Sequence, residues 1–295
     1  MPGHSSAPLA SVCAAPFLKW AGGKGDLLPQ YDPLLPTGRA GTAYEPFVGS
    51  GAVFFHLRGR DFAQRYCLSD VNAELINAYV VVRDCVNDLI ERLEEHARRH
   101  NREHFAAVRG MDREPGWPDA FDPVARAARL IYLNRTCYNG LWRVNRQGHF
   151  NVPMGRYRNP TILHAHLLRA ASAALQGVEV RVCRFDEAVR EAGSGDFVYF
   201  DPPYVPLNAT SNFTSYDANG FGVEEQQALA GTFRALDARG CRVMLSNSDH
   251  PLVHALYAGF SIERVQARRR INSRAERRGA ISELVVRNYS EAMPT

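Results

Sequence analysis

Lysine is almost missing from this chain. Of its 35 basic residues only two are lysines, Lys19 and Lys24, and both fall inside the segment "FLKWAGGKGD". Arginine serves everywhere else. Either this segment requires a compact ammonium that a planar guanidinium does not replace, or the pairing is chance in a short, tightly packed stretch. Long apolar runs are missing too: none approaches the ~20 residues of a membrane-crossing helix, so no membrane association is expected. The opening "MPGHSSAPLASVCAAP" has neither a basic start nor a continuous apolar stretch. We expect no secretory leader there, and a flexible tail over 1–15. Cysteine is sparse. The six residues at 13, 67, 85, 137, 183 and 241 never fall at metal-ligand or redox spacing, and three sit at positions that read as interior. That pattern fits a reducing compartment and predicts no metal site.

Charge is nearly balanced, at +4, so the field of the whole molecule is a weak pointer to nucleic acid. Its distribution says more. Residues 264–278, "RVQARRRINSRAERR", carry seven arginines, enough to meet several phosphates. A solvated surface hairpin accounts for the same run equally well.

The hydrophobic pattern alternates between strand and helix. A strand over 42–47 turns at 48–51 and opens a helix at Ala52. "RYCLSD" is a second strand, ending at Asp70. Asn72 then caps one long amphipathic helix with apolar positions at Leu75, Ile76, Tyr79, Val82, Val86, Leu89, Ile90 and Leu93. Residues 97–120 read as polar and irregular. Asp122-Pro123 starts another helix, running to about Asn134. "NRTCYNGLWRVNRQGHFNVPMGRYRNP" follows with no helical period, and its "NRQG" reads as a hairpin turn between short strands. A helix over 161–175 leads into "VEVRVC", "DFVYFD", "RVMLSNS", "SIERVQARRR" and "ISELVVRNY", all strands, with a helix over 223–238 closed by Gly240. Alternating strands and helices imply an α/β fold with a mostly parallel sheet, and the last two strands form an antiparallel hairpin at one end. The sheet is thus built from both ends of the chain, around an insertion at about 73–165.

Two stretches carry chemistry. In "EPFVGSG", Gly49 and Gly51 follow a strand and open a helix, where glycine lets backbone approach a ligand. G-x-G alone marks many ordinary tight turns. Glu45 is an acid where a phosphate loop would avoid one, and Asp70 ends the next strand, where dinucleotide folds hold a ribose. Asp70 reads equally as a helix cap. Together the two acids fit a ligand with ribose hydroxyls and a cationic tail, such as S-adenosylmethionine.

The second stretch is "VYFDPPYVPL". Asp201 stands at the carboxyl end of a strand, where open α/β sheets bind ligands. Pro202 and Pro203 remove two backbone donors and fix φ. One Asp201 oxygen and the Pro202 carbonyl then form a rigid double acceptor for an –NH2 group, and Tyr204 offers a flat face for a base. Two acceptors turn an amine's lone pair toward an electrophile, so in-line methyl transfer needs neither metal nor covalent enzyme intermediate. No cysteine is placed to act as the nucleophile that carbon methylation of cytosine requires. As a bare tetrapeptide, "DPPY" also reads as a strand-ending turn. An amine buried in a duplex has to be flipped out; Tyr138 and Trp142 are candidate wedges, and Asn139 and Arg143 candidate base-edge readers. Trp142 reads better as a packed core aromatic. The polar stretch 208–221 reads as a lid that orders on substrate.

"FLKWAGGK", "EPFVGSGAVFFHL", "LSDVNAELINAY", "LNRTCYNGLWRVN", "FNVPMGRY", "DPPYVPLNATSNFTSY" and "SNSD" together resemble the Dam-type (D12 class) DNA adenine-N6 methyltransferases, from about Phe17 to Tyr289. The resemblance implies a Rossmann-like class I methyltransferase sheet with an inserted, mainly helical target-recognition domain. It divides the chain into a catalytic, cofactor-binding part (16–72 and 166–295) and a recognition part (73–165). It implies methylation of adenine N6 in GATC of double-stranded DNA, with Asp201, Pro202, Pro203 and Tyr204 catalytic. Trp20, Ala21, Gly22, Gly23, Lys24, Glu45, Pro46, Phe47, Gly49, Gly51, Asp70 and Asp201 would bind S-adenosylmethionine. Lys19, Tyr138, Asn139, Leu141, Arg143, Pro153 and Tyr157 would meet DNA: Arg143 at a guanine, Leu141 and Pro153 at the thymine methyl, Tyr138 in the stack. It further implies a monomer in the cytoplasm of a bacterium or a phage host. Two alternatives stay open: methylation of an RNA or protein amine or amide, and a non-catalytic DNA-binding protein that senses the cofactor. The inserted recognition segment speaks against the first, the intact Asp201 against the second.

Overall fold

The computed structural model describes residues 13–207, 220–268 and 280–290. Most of the expected tail, most of the 208–221 stretch and most of the arginine cluster lie outside the described residues. Among the described residues seven strands form a single sheet: β1 (Ala40–Glu45), β2 (Ala63–Asp70), β3 (Glu179–Val182), β4 (Phe197–Phe200), β5 (Arg242–Ser248), β6 (Ser261–Arg268) and β7 (Ala280–Arg287). Their spatial order is β3-β2-β1-β4-β5-β7-β6. The first five strands in that order pair in parallel, while β7 lies antiparallel between β5 and β6. The expected α/β class and terminal antiparallel hairpin are both present. β4, "FVYF", is buried on both faces, as a central parallel strand has to be.

From β1 the chain winds outward through β2 to β3, then returns to the other side of β1 with β4 and β5. That reversal opens a crevice between the carboxyl ends of β1 and β4, the place where doubly wound sheets receive ligands. Glu45 ends one of these strands and Asp201 follows the other.

The helices are α1 (Leu28–Tyr31), α2 (Ala52–Gly59), α3 (Ala73–Asp84), α4 (Val86–Arg98), α5 (Arg102–Gly110), α6 (Pro123–Thr136), α7 (Ala165–Leu175), α8 (Phe185–Ala188), α9 (Val223–Ala238) and α10 (Pro251–Leu256). Asn72 caps α3 by accepting from the Glu74 and Leu75 amides, and Asp122 caps α6 by accepting from the Ala125 amide. Both caps match the sequence reading. Three expectations need correction. The single long helix after Asn72 is two helices, broken at Cys85, whose backbone leaves the helical region (φ −132°, ψ 37°). The "irregular" 97–120 stretch contains α5, capped by Asn101 and buried through Phe105 and Val108. The "NRQG" hairpin turns as expected, with the Asn145 amide donating to the His149 carbonyl. Its arms, however, meet only at isolated bridges, Val144 with Phe150 and Cys137 with Met154.

The core does not stop at the edge of the insertion. One continuous apolar cluster joins Val53, Phe54 and Leu68 of the sheet region to Leu89, Leu93, Phe105, Leu130 and Tyr132 of α4, α5 and α6. Cys67, Cys137 and Cys241 are the buried cysteines, and all six thiols are free.

Candidate active site

Asp201 is gripped from behind. Its Oδ1 lies 2.8 Å from the Lys24 ammonium, and the Ser246 hydroxyl donates to the same oxygen at 2.7 Å. That hydroxyl has one hydrogen, so the Tyr199 hydroxyl, 3.0 Å from Ser246 Oγ, is the donor in the next link. Among the described residues nothing bonds Asp201 Oδ2, and nothing donates to the Pro202 carbonyl. One oxygen of the carboxylate is thus engaged in holding the side chain in place, which leaves Oδ2 and the Pro202 carbonyl as the two acceptors that the "DPPY" reading requires. A charge-assisted bond of this kind contributes about 1.5–3 kcal/mol.

Lys24 is 4% exposed. Its ammonium donates to the Gly22 carbonyl at 2.6 Å and lies 4.8 Å from the centre of the Tyr204 ring. A compact cation thus touches a carbonyl, a carboxylate and an aromatic face at once, which gives a physical reason for lysine at this position in an arginine-rich chain. The Tyr204 hydroxyl donates to Glu283 Oε2 at 2.7 Å, so β7 fixes the plane of the ring.

The turn after β4 is pinned from two sides. Gln226 of α9 donates to the Pro203 carbonyl at 2.9 Å, and Asn247 donates in turn to Gln226 Oε1. Asn247 Oδ1 accepts from the Val205 amide, while the Ser248 hydroxyl donates to the Val205 carbonyl. Sequence reading missed Ser246, Asn247, Gln226 and Glu283 as parts of the site. Only "SNSD" signalled any of them: polar residues running through a strand that is buried from Val243 onward.

The crevice is acid-rich. Glu45, 6% exposed, has its carboxyl pushed well above the usual carboxylate range, by burial first and then by the Asp201 charge. Glu283 is raised as well, by burial first, with Lys24 and Tyr204 opposing. Burial also drives the Tyr31, Tyr199 and Tyr204 hydroxyls upward, with Asp201 adding to each. Glu45 and Glu283 are thus both pushed toward the neutral acid, and a cationic ligand in the crevice would draw them back toward carboxylate.

The glycine turn lies between β1, which ends at Glu45, and α2. Gly51 has φ +68°, and a Cβ there would sit 2.7 Å from the Tyr79 hydroxyl, which itself donates to the Gly49 carbonyl. The Trp20 indole lies against Gly49, where a Cβ would come within 3.0 Å of its Cδ1. Ala21, Gly22 and Gly23 lie exposed at the rim, Pro46 is buried and Phe47 is half-buried, its ring stacked on Phe185. Asp70 is buried, and its Oδ1 accepts from the Asn72 amide. The cap of α3 is Asn72 rather than Asp70.

The expected DNA contacts gather on a neighbouring surface. Tyr138 is 51% exposed and Tyr157 38%; Asn139 and Pro153 are exposed, Leu141 and Arg143 half-buried. The Tyr138 amide donates to the Pro153 carbonyl, which sets the two residues side by side. Lys19 lies 5.0 Å from the Tyr157 ring centre. Trp142 packs on Phe150 at 5.0 Å, the core role the sequence favoured for it. The fully buried Asn134 joins this surface to the lysine segment: its Oδ1 accepts from the Lys19 amide, and its Nδ2 donates to the Lys19 and Gly140 carbonyls. Sequence reading gave Asn134 no such role.

Among the described residues no His, Cys, Asp and Glu cluster has the form of a metal centre, and no helix is long and apolar enough to cross a membrane.

Comparison with known proteins agrees with this geometry. A family profile described as D12 class N6 adenine-specific DNA methyltransferase matches residues 20–271. The type II methyltransferase M1.LlaDCHI of Lactococcus lactis subsp. cremoris is 44% identical over 276 residues, covering 93% of this chain and 95% of its own. The type II methyltransferase M.MjaIII of Methanocaldococcus jannaschii is 42% identical over 290 residues, 93% and 99% of the two chains. The DNA adenine methylase of Escherichia coli K12 is 38% identical over 269 residues, 91% and 93%.

Proposed function

The chain belongs to the D12 class of N6 adenine-specific DNA methyltransferases, and from that premise we propose that it methylates the adenine of GATC in duplex DNA, flipping the base out of the helix and using S-adenosylmethionine as donor. The observation that carries the proposal is the Asp201 clamp, in which Lys24 and Ser246 hold one carboxylate oxygen. The other oxygen and the Pro202 carbonyl are left to accept the two hydrogens of an exocyclic amine.

When bound, S-adenosylmethionine supplies a methyl on a cationic sulfur, to be displaced in line. Its fit is supported by the acid excess around Lys24 and by the close-approach backbone at Gly49 and Gly51. Glu45 and Asp70, with Trp20, Gly23 and the 45–51 turn, are the residues we assign to holding it. Asp201 and Pro202 orient the amine so that its lone pair faces the crevice rather than the ring. Tyr204, braced by Glu283, supports the flat face of the base. Pro203 keeps the turn rigid through its bond from Gln226. Orientation and fixed dipoles supply the acceleration.

We assign recognition to 73–165. The exposed Tyr138 enters the stack, Arg143 reads a guanine, Leu141 and Pro153 meet the thymine methyl, and Asn139, Tyr157 and Lys19 contact the strand. The blocks that resemble the Dam-type family support the GATC assignment, and the relative described as a DNA adenine methylase supports adenine as the base. The experiment is to methylate a random duplex library with tritiated S-adenosylmethionine and map the modified base and its neighbours. Label on adenine in GATC supports the proposal. Label in another sequence overturns the specificity, and label on cytosine overturns the chemistry.

A further inference from the structure

Arg143 has a partner that its sequence position does not reveal. It faces Asn151 across the hairpin: the Asn151 amide donates to the Arg143 carbonyl at 3.0 Å, and Arg143 Nε donates to Asn151 Oδ1 at 2.7 Å. A guanidinium offers five donors on a flat fork. It can present either the Nε edge or the terminal edge to an acceptor pair. With Nε engaged, rotation about the last side-chain bonds is stopped and only the two terminal nitrogens remain to be offered outward. Those two match the O6 and N7 acceptors of a guanine in the major groove.

The root of this arrangement is firm. The Phe150 amide donates to Asp112 Oδ2 at 2.6 Å, and Arg113 donates to the Phe150 carbonyl at 2.8 Å. Asp112 is itself paired at 2.6 Å with Arg129, which is 1% exposed. Arg129 in turn donates to the Val108 and Arg109 carbonyls at the end of α5. Asn151 therefore follows directly on a residue whose amide is tied to the buried Asp112–Arg129 pair and whose carbonyl is tied to Arg113, while Arg143 is only half-buried and, among the described residues, nothing bonds its two terminal nitrogens.

We propose that Asn151 is a specificity-positioning residue. By accepting from Nε it presents the terminal edge of Arg143 to a guanine and withholds the other edge. This rests on the reading of Arg143 as a base reader, and the test separates the two. Methyl-transfer kcat/KM is measured on the preferred duplex and on one with the guanine replaced by adenine, for the parent, Arg143→Ala, Asn151→Leu and Asn151→Asp, with urea unfolding of each. Asn151→Leu keeps the branched outline of the side chain and removes the acceptor; it is expected to lower the preference for guanine about tenfold. Asn151→Asp keeps the acceptor and is expected to retain the preference. If Asn151→Leu discriminates like the parent while Arg143→Ala has lost discrimination, the inference is overturned and the base reader stands. If Arg143→Ala also discriminates like the parent, the base reader falls and the inference with it. A loss of rate equal on both duplexes would make Asn151 a structural residue only, which also overturns it.

Discussion

His96 on α4 offers a test of the packing among α4, α5 and α6 that does not depend on DNA. Its ring stacks on Tyr132 of α6, with centroids 4.9 Å apart and planes 27° apart, and its Nδ1 shares a hydrogen with His104 Nε2 of α5 at 2.9 Å. Two imidazoles sharing one hydrogen cannot both be protonated. Burial first, then the His104 charge, lowers the His96 pKa from 6.5 to about 4, with Glu95 opposing and Arg99 and Arg92 adding to the fall. His104 and His100 are displaced downward too, burial leading in each. His100 bonds the Tyr132 hydroxyl at 2.8 Å. The sign follows directly: the folded value lies below the unfolded one, so the unfolded chain binds more protons between the two. The His96 environment therefore costs nothing above 6.5, and stability drains away as pH falls from there toward 4. The gap amounts to about 3 kcal/mol in full and about 2 kcal/mol near pH 5, and solvent screening of a partly exposed ring brings the latter to about 1 kcal/mol. The perturbation is His96→Phe, which keeps an aromatic ring against Tyr132 and removes the titration. Urea unfolding of parent and variant at about pH 7 and about pH 5 is the assay; the parent should lose about 1 kcal/mol more than the variant between the two. Equal losses would refute the reasoning.

Other substitutions probe the site itself. Asp201→Ala should abolish methyl transfer while a gel-shift assay still detects DNA binding; retained turnover would remove the carboxylate from the mechanism. Lys24→Arg forces a larger, planar cation into a position 4% exposed between Gly22, Asp201 and Tyr204. It should destabilise by about 1–3 kcal/mol and weaken S-adenosylmethionine binding by titration calorimetry, and unchanged affinity would leave the lysine count as coincidence. Arg129→Leu strips a buried partner from Asp112 and should destabilise by about 3 kcal/mol, the low end for a broken buried pair because Arg113 still reaches the same carboxylate. A change under half of that in urea unfolding would mean that Arg113 alone suffices.

Much of the fold was legible because its punctuation is local. Asn72, Asp122 and Gly240 mark helix ends by their own chemistry, and β5 covers Arg242–Ser248, the run "RVMLSNS" read as a strand. The break at Cys85 was hidden because α3 and α4 bury one continuous apolar face against the same core, so the period survives the kink with no glycine or proline to announce it. α5 was hidden for the opposite reason: only Phe105 and Val108 are buried in it, too few to show a period among charges. In the site, Asp201 and Lys24 stand in short recognisable runs. Glu283 does not, and although Ser246 opens "SNSD", nothing in that run says what it meets, because both reach Asp201 and Tyr204 only through sheet neighbours. β4 pairs Phe200 with Leu245, which sets the next residues, Asp201 and Ser246, side by side, and β7 pairs Glu283 with Ser248. Strand adjacency of that kind is a property of topology and leaves no mark on either segment alone.

The apolar cluster that runs without interruption from α2 into α4, α5 and α6 has a practical consequence for anyone wishing to give this enzyme a new target. Excising 73–165 would open a wound in the protein's interior, so wholesale transplantation should yield insoluble chains. On the recognition assignment proposed above, the interchangeable portion is the rim, residues 138–157, which stands on Asn134 and on the Asp112–Arg129 pair. Retargeting should therefore proceed like changing the bit of a key whose shank and bow are cast in one piece.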